Sequence, residues 1–234
     1  MDRVSVITSR DNEKLKLVRK LSARRWRDKL GLFVAEGEDL VGAARGVGIE
    51  PVELLVAGEN VEPELLAEVS SLAHAPRVVG VFRRADLQRG PLPERGLVLW
   101  RVADPGNVGT LVRAADAFGA YVSLSDGCAD PAGPKALRAA MGSTFRVALP
   151  EFSIPEGAVA LLAHGAPPLT EVSGAVFVLG AERDGLPAEV IERCSATATI
   201  PLPGDAESLN VAMAGTIALY EAVRSGHGRG LSPD

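Results

Sequence analysis

The chain has 234 residues, a formal net charge of −5, 47% hydrophobic residues and 4% aromatics. That apolar share builds aliphatic cores and excludes a globally disordered chain, while no apolar run approaches the ~20 residues that span a bilayer. The length accommodates one large domain or two modest ones.

Met1 to Ser5 lacks the basic and then apolar pattern of a secretory leader, so a cytoplasmic location is expected. Cys128 and Cys194 form no C-x-x-C pair, and His74, His164 and His227 fall in no ligand spacing, so no metal is expected. Each cysteine reads as a small buried hydrophobe. The negative total argues against nucleic acid, but the charge is unevenly spread. Residues 10–29 hold Arg10, Lys14, Lys16, Arg19, Lys20, Arg24, Arg25, Arg27 and Lys29, opposed by Asp11, Glu13 and Asp28. Such a run is either a solvated helix face or a phosphate-binding surface.

In chain order, Val4, Val6 and Ile7 open the first segment, with Thr8 and Ser9 as helix-start candidates and Asp11 completing a loose capping pattern with Thr8. Leu15, Val18 and Leu21 recur at helical spacing, with Leu17 and Trp26 nearby, so one helix across the basic run would carry a strongly positive face. Residues 38–46 read as a second helix, 51–57 as a strand, 62–73 as a helix and 77–82 as a strand, which is an α/β unit. Two prolines and two glycines within 88–96 then mark a linker. It is placed at 91–96, between a domain of residues 1–90 and one of 97–234.

The second domain alternates strand and helix: 97–101, 107–118, 121–125, 134–140, 145–149, 157–164, 174–180, 187–194, 198–202 and 208–223, with a Gly-, Ser- and Pro-rich tail. Odd members are strands and even members helices. Short apolar strands separated by helices indicate a parallel sheet with helices on both faces.

Three segments carry chemistry. Asp104-Pro105-Gly106-Asn107-Val108-Gly109 leaves a strand, turns tightly and enters a helix, with Asn107 where an N-cap would sit and Arg113 less than two turns on. It lacks the G-x-G-x-x-G of a dinucleotide site, which disfavours a nucleotide-dependent oxidoreductase. Next, an apolar strand ending Leu179-Gly180 delivers Glu182 into a loop before a helix, at the strand end where α/β sheets bind ligands. Finally, Ile200-Pro201-Leu202-Pro203-Gly204 holds the chain extended before Ser208-Leu209-Asn210 opens the last helix. Extended backbone beside an apolar wall suits an adenine ring.

In this order the segments resemble the SpoU (TrmH-like) branch of the SPOUT RNA methyltransferases. The motifs are Asn107-x-Gly109-x-x-x-Arg113, Gly180-x-Glu182-x-x-Gly185-Leu186, and Ile200-Pro201 through Ser208-Leu209-Asn210-Val211. Lys135 to Gly142 is similar to a further family segment, and Phe33 to Gly37 to the small α/β substrate-binding domain that often precedes it. The resemblance implies a C-terminal deep trefoil knot, which periodicity could never suggest because knots are nearly absent from proteins. It implies a homodimer whose active site is completed at the interface, S-adenosylmethionine as cofactor, and transfer of its methyl group to a ribose 2′-hydroxyl of structured RNA, rRNA rather than tRNA.

By that resemblance Arg113 stands at the acceptor ribose with Asn107, Glu182, Ser208 and Asn210 around it. Leu179, Gly180, Ile200, Leu202, Ser208 and Leu209 hold the cofactor. Arg19, Lys20, Arg24, Arg27, Lys135 and Arg138 face RNA. A guanidinium stays protonated, so Arg113 is read as a bidentate phosphate clamp rather than a base. Three features depart from the family pattern: Ala181 where asparagine is usual, Ala140 where serine is usual, and a 164–172 stretch without the apolar strand expected before residue 174. They leave open a second reading, an RNA-binding protein that keeps the fold without catalysis.

Overall fold

The computed structural model describes residues 6–72, 74–87 and 91–226. Val4, residues 88–90 at the end of the first predicted domain, His227 and most of the Gly/Ser/Pro tail lie outside the described residues.

Leu15, Val18 and Leu21 are buried as their spacing requires, but no single helix runs through the basic segment. Asn12, not Thr8 or Ser9, caps α1 (Glu13–Leu21), its side chain accepting the Lys14 N–H at 2.9 Å. Ser22 turns its hydroxyl back onto the Arg19 carbonyl at 2.7 Å, and the chain restarts as α2 (Arg24–Leu30). A serine satisfying a helix carbonyl in this way competes with continuation of the helix. Gly31 closes α2 at φ 64, where a Cβ is disfavoured.

β1 (Leu32–Glu36) follows directly, a strand absent from the sequence expectation. Its Phe33, Val34 and Ala35 are all buried, so it shows no alternation. Then come α3 (Glu38–Gly46), β2 (Glu53–Val56), α4 (Pro63–Val69) and β3 (Val78–Arg83). β3 lies between β1 and β2, antiparallel to both. Val34 faces a small core with Leu15, Val18, Leu21 and Leu66, whereas Phe33 and Ala35 face the C-terminal half.

β4 (Arg95–Leu99) begins inside the predicted linker. It is followed by α5 (Pro105–Ala117), β5 (Ala120–Leu124) and α6 (Pro134–Ala140). Residues 145–149 are not a strand. Ser143–Phe145 form a 3-10 turn, and the segment meets β5 through the Val122 N–H to Ala148 carbonyl bond, while the Ser123 hydroxyl donates to the Glu151 carbonyl just beyond it. Pro150, which has no N–H to donate, follows at once.

Residues 157–164 are not a helix either. β6 (Val159–Leu162) is a sheet strand, paired in parallel with both neighbours. Ala and Leu favour a helix locally, but a four-residue apolar run flanked by strands on both sides gains more as a sheet element. The strand expected in 164–172 is therefore present just upstream, and the sheet is complete there. β7 (Val176–Leu179), α7 (Ala188–Ile191), β8 (Ala196–Thr199) and α8 (Val211–Arg224) end the chain.

The five strands run parallel in the order β5-β4-β7-β6-β8. Leu97, Leu99, Phe177 and Leu179 point to the α5 and α8 face. Val98, Val176 and Val178 point to the opposite face with Val190 of α7. From edge strand β8 the chain returns past the ends of β6 and β7 to seat α8 on α5, β4 and β7. That path is consistent with the expected knot.

The halves share one core. Phe33 and Phe82 meet Phe145 with ring centroids 6.0 and 5.5 Å apart. Beside them Asp130 accepts Arg27 Nε at 2.6 Å and also pairs with Arg84, and Arg24 donates to the Cys128 carbonyl at 2.7 Å. Cys128 itself is buried, and burial pushes its thiol up, as an inert packing cysteine requires.

Candidate active site

The helix α5 starts on Asp104, not Asn107. The Asp104 carboxylate accepts the Asn107 N–H at 2.9 Å, and Pro105 stands at the first helical position, where a missing N–H costs nothing. The Asn107 N–H and then the Lys135 ammonium, 3.1 Å away, hold the Asp104 carboxyl below its ordinary value. Gly109 fits because a Cβ there would lie 2.3 Å from the Ala136 carbonyl, so it sets the approach of α5 to α6.

Relieved of capping, the Asn107 side chain faces the end of β7. Its Nδ2 donates to Glu182 Oε1 at 2.9 Å, and its Oδ1 accepts from Asn210 Nδ2 at 3.0 Å. Asn210 also caps α8, accepting the Ala212 N–H at 2.8 Å. Three of the five predicted catalytic residues are thus one hydrogen-bonded chain tying together α5, the β7 loop and α8.

Gly180 makes this loop possible. A Cβ would lie 2.2 Å from the Gly185 carbonyl carbon and 2.6 Å from Leu186 N. The loop closes with the Gly185 N–H on the Ala181 carbonyl at 3.0 Å. Position 181 therefore works through its backbone, and Ala140, fully buried, through packing.

Two cavities meet at Ala181 and Glu182. One, of about 320 Å³, is walled by Leu161, Leu179, Ile200, Leu202 and Leu209 and rimmed by Gly180, Ser208 and Asn210. All six residues expected to hold the cofactor line it. Apolar walls with a rim of backbone and side-chain polar groups fit an adenosine. The other, of about 920 Å³, lies on the Asn107 side and is lined by Trp100, Arg101, Asp126 and Arg183 among others. Arg101 is not glycine yet holds φ 53, its N–H on Ser125 Oγ at 3.0 Å. Non-glycine residues in that region cluster at functional sites.

Arg113 is not brought to this constellation. At about 100° per residue, six positions put its Cβ roughly a third of a turn from that of Asn107. It is exposed, lines neither cavity, and enters no described hydrogen bond or ion pair. Ser208 lines the cofactor-sized cavity. Arg138 donates to Ser71 Oγ at 3.0 Å, bridging the halves. Of the predicted RNA-facing residues on the basic run, Arg27 must be withdrawn: it is 5% exposed and spent on Asp130 and on the Leu21 and Ser22 carbonyls. Asp104, Trp100 and Arg101 went unassigned at the sequence level. Asp-Pro is a recognisable helix start, and it could have shown that Asn107 was free.

A family model described as the SpoU rRNA Methylase family matches residues 94–220, and one described as the MRM3-like substrate binding domain matches 12–85. The chain belongs to the SpoU family. A 23S rRNA (guanosine(2553)-2′-O)-methyltransferase, RlmP of Bacillus subtilis, is 32% identical over 92% of this chain and 97% of its own length. The 23S rRNA (uridine(2479)-2′-O)-methyltransferase of Streptomyces viridochromogenes is 36% identical over 69% of this chain and 65% of its own. An AdoMet-bound rRNA methyltransferase structure from Sinorhizobium meliloti has a TM-score of 0.84 at 30% identity, covering 96% of this chain and 99% of that one. Within the SpoU frame, the Asn107–Glu182–Asn210 chain and the adjoining cavity bring together residues of all three motifs, with Arg113 of the first left outside. Among the described residues, no helix is long and apolar enough to cross a membrane.

Proposed function

We propose that the chain methylates a ribose 2′-hydroxyl of ribosomal RNA with S-adenosylmethionine, as a homodimer in the cytoplasm. One observation carries the reading. A cavity that fits an adenosine opens, at Ala181 and Glu182, into a larger cleft on the side of Asn107. The relatives named above are rRNA 2′-O-methyltransferases, which favours rRNA over tRNA.

When bound, the cofactor supplies a methyl group activated by a sulfonium. The protein's part is alignment and handling of the hydroxyl proton. Glu182 has one oxygen held by Asn107, which leaves Oε2 to accept the hydrogen bond of the acceptor hydroxyl. Asn107, anchored on its other side by Asn210, stops the carboxylate from rotating away. The first domain, residues 1–90, is read as the part that grips RNA outside this cleft.

Two features support the dimer. Met213, Ile217 and Tyr220 recur along α8 at 61, 38 and 56% exposure, an apolar stripe of the kind that marks an interface. Arg113 lies on neighbouring α5, turned from its own site. A second copy covering the stripe would present its Arg113 to the first copy's acceptor cleft, where a planar fork suits a phosphate.

Incubation with labelled S-adenosylmethionine and, separately, unmodified 23S rRNA and tRNA tests the activity. Label in rRNA at a single 2′-O-methylated nucleotide is the expected result. Cofactor binding without label in either RNA would support the non-catalytic alternative. Sedimentation of wild type and Ile217→Glu tests the dimer, with a monomeric variant expected.

A further inference from the structure

The fold sorts the basic run into cations that are neutralised and cations that are not. Arg10, Lys14, Lys16, Arg24 and Arg27 pair with Glu68, Glu53, Glu13, Asp28 and Asp130 respectively. Arg19 donates to the Arg10 carbonyl at 2.8 Å. The side chains of Lys20, Arg25 and Lys29 enter no described hydrogen bond or ion pair. These three sit around one side chain: their charged ends lie 5.6, 5.8 and 5.2 Å from the Trp26 ring centroid.

Trp26 belongs to none of the apolar cores. It is a half-buried indole that the folding of the domain leaves outside its apolar cores, with three like charges around it. Each cation gains a little from the ring face, but three together repel, and the arrangement is completed only by an anion. The break at Ser22 and Ala23 creates the group, because it folds Lys20 of α1 back towards Trp26 of α2. An aromatic face with unneutralised cations around it is the apparatus that holds single-stranded nucleic acid: the ring stacks a base and the cations take flanking phosphates.

We propose that Trp26 is the stacking platform for an unpaired nucleobase of the RNA, with Lys20, Arg25 and Lys29 on the adjoining phosphates. This rests on the reading of the protein as an RNA methyltransferase. It assigns the site outside the catalytic cleft that selects unpaired RNA.

The chain has two tryptophans, Trp26 and Trp100, so emission can be apportioned by difference. A short mixed-sequence RNA single strand and the duplex of the same sequence are titrated against wild type, Trp26→Phe and Trp26→Ala. Circular dichroism and calorimetric cofactor binding verify that each variant is folded. The single strand quenches wild-type emission, and part of that quench disappears in Trp26→Phe. Trp26→Ala weakens single-strand binding roughly 5- to 150-fold, the range of one lost stack, and Trp26→Phe restores most of it. Lys20, Arg25 and Lys29 changed to glutamine lower the log–log salt slope by about 0.7 per contact. Wild-type affinity in Trp26→Ala, a quench fully retained in Trp26→Phe, equal quenching by the duplex, or an unchanged salt slope each overturns the proposal. If such a result comes with wild-type methylation of 23S rRNA, the methyltransferase reading survives and this one alone fails. A wild-type protein that neither binds nor methylates RNA overturns both.

Discussion

Asn107 and Glu182 lie 75 residues apart in the chain and share a hydrogen bond of 2.9 Å. The same Asn107 side chain accepts from Asn210, 103 residues further on, at 3.0 Å. One amide thus spends its donor on one motif and its acceptor on another, and the catalytic proposal depends on both bonds.

Asn107→Ala should untie Glu182 and Asn210 together. Misplacing a positioned group by about 1 Å can cost around 100-fold in rate, and a loss of that order in single-turnover methylation is expected. Asn210→Asp is the finer variant. It keeps the oxygen that caps α8, so the melting temperature should hold, but it sets a second carboxylate against Asn107. The amide then satisfies only one of the two, and turnover should fall while cofactor affinity changes little. Additive effects of Asn107→Ala and Glu182→Ala in a double-mutant cycle would show that the bond plays no part.

Arg113→Ala should lose roughly 100- to 1,000-fold in turnover, the scale of one charge-stabilising donor. Cofactor affinity, read by calorimetry, should barely move. Lysine should rescue little, since it lacks the two-donor fork. In a dimer that exchanges Arg113 between copies, Arg113→Ala and Glu182→Ala chains mixed in equal amounts should regain about a quarter of wild-type activity. Half of the dimers are then mixed, and each mixed dimer has one intact site of two. No recovery after demonstrated subunit exchange would place Arg113 in its own chain's site or in none.

Gly180→Ala should open the loop at 181–185. The added Cβ meets backbone at Gly185 and Leu186, which has no rotamer to yield. Overpacking of this kind costs about 1–3 kcal/mol, visible as a lower melting temperature, and the cofactor-sized cavity loses a wall. A variant with normal stability and normal cofactor affinity would show that the loop has room to spare.

Asp130 predicts an acid-sensitive joint between the halves. Burial alone would raise its pKa, but Arg84 and then Arg27 outweigh burial and hold it below the ordinary carboxylate value. A carboxyl depressed in the folded state stabilises above its unfolded pKa, about 3.9. That stabilisation is lost as pH falls from there through the folded pKa. Melting temperature should therefore drop more steeply below pH ~4 in wild type than in Asp130→Asn. At neutral pH Asp130→Asn should cost about 3–5 kcal/mol, because it leaves two arginines at a joint built for a carboxylate. Parallel pH profiles would remove Asp130 from the acid response.

Much of this protein was legible from local patterns. The 38–46 and 134–140 helices follow from apolar spacing, and the parallel strands around Leu97, Val122 and Val178 from short apolar runs with helices between. The residues expected from the family resemblance to hold the cofactor, Leu179, Gly180, Ile200, Leu202, Ser208 and Leu209, line one cavity. Such features rest on interactions within a few residues, or on backbone constraints that glycine and proline impose wherever they stand. What the tertiary structure alone decided depends on partners distant in the chain. Val159 to Leu162 prefer a helix by propensity and form a strand because β7 and β8 flank them. Arg27 looks like its basic neighbours and is buried because Asp130, 103 residues away, meets it. Trp26 gathers Lys20 only because the helix breaks between them. A charge has no periodicity that tells whether it ends in water, on a carboxylate or beside an indole; only the packed arrangement of the other elements decides which neighbour it meets.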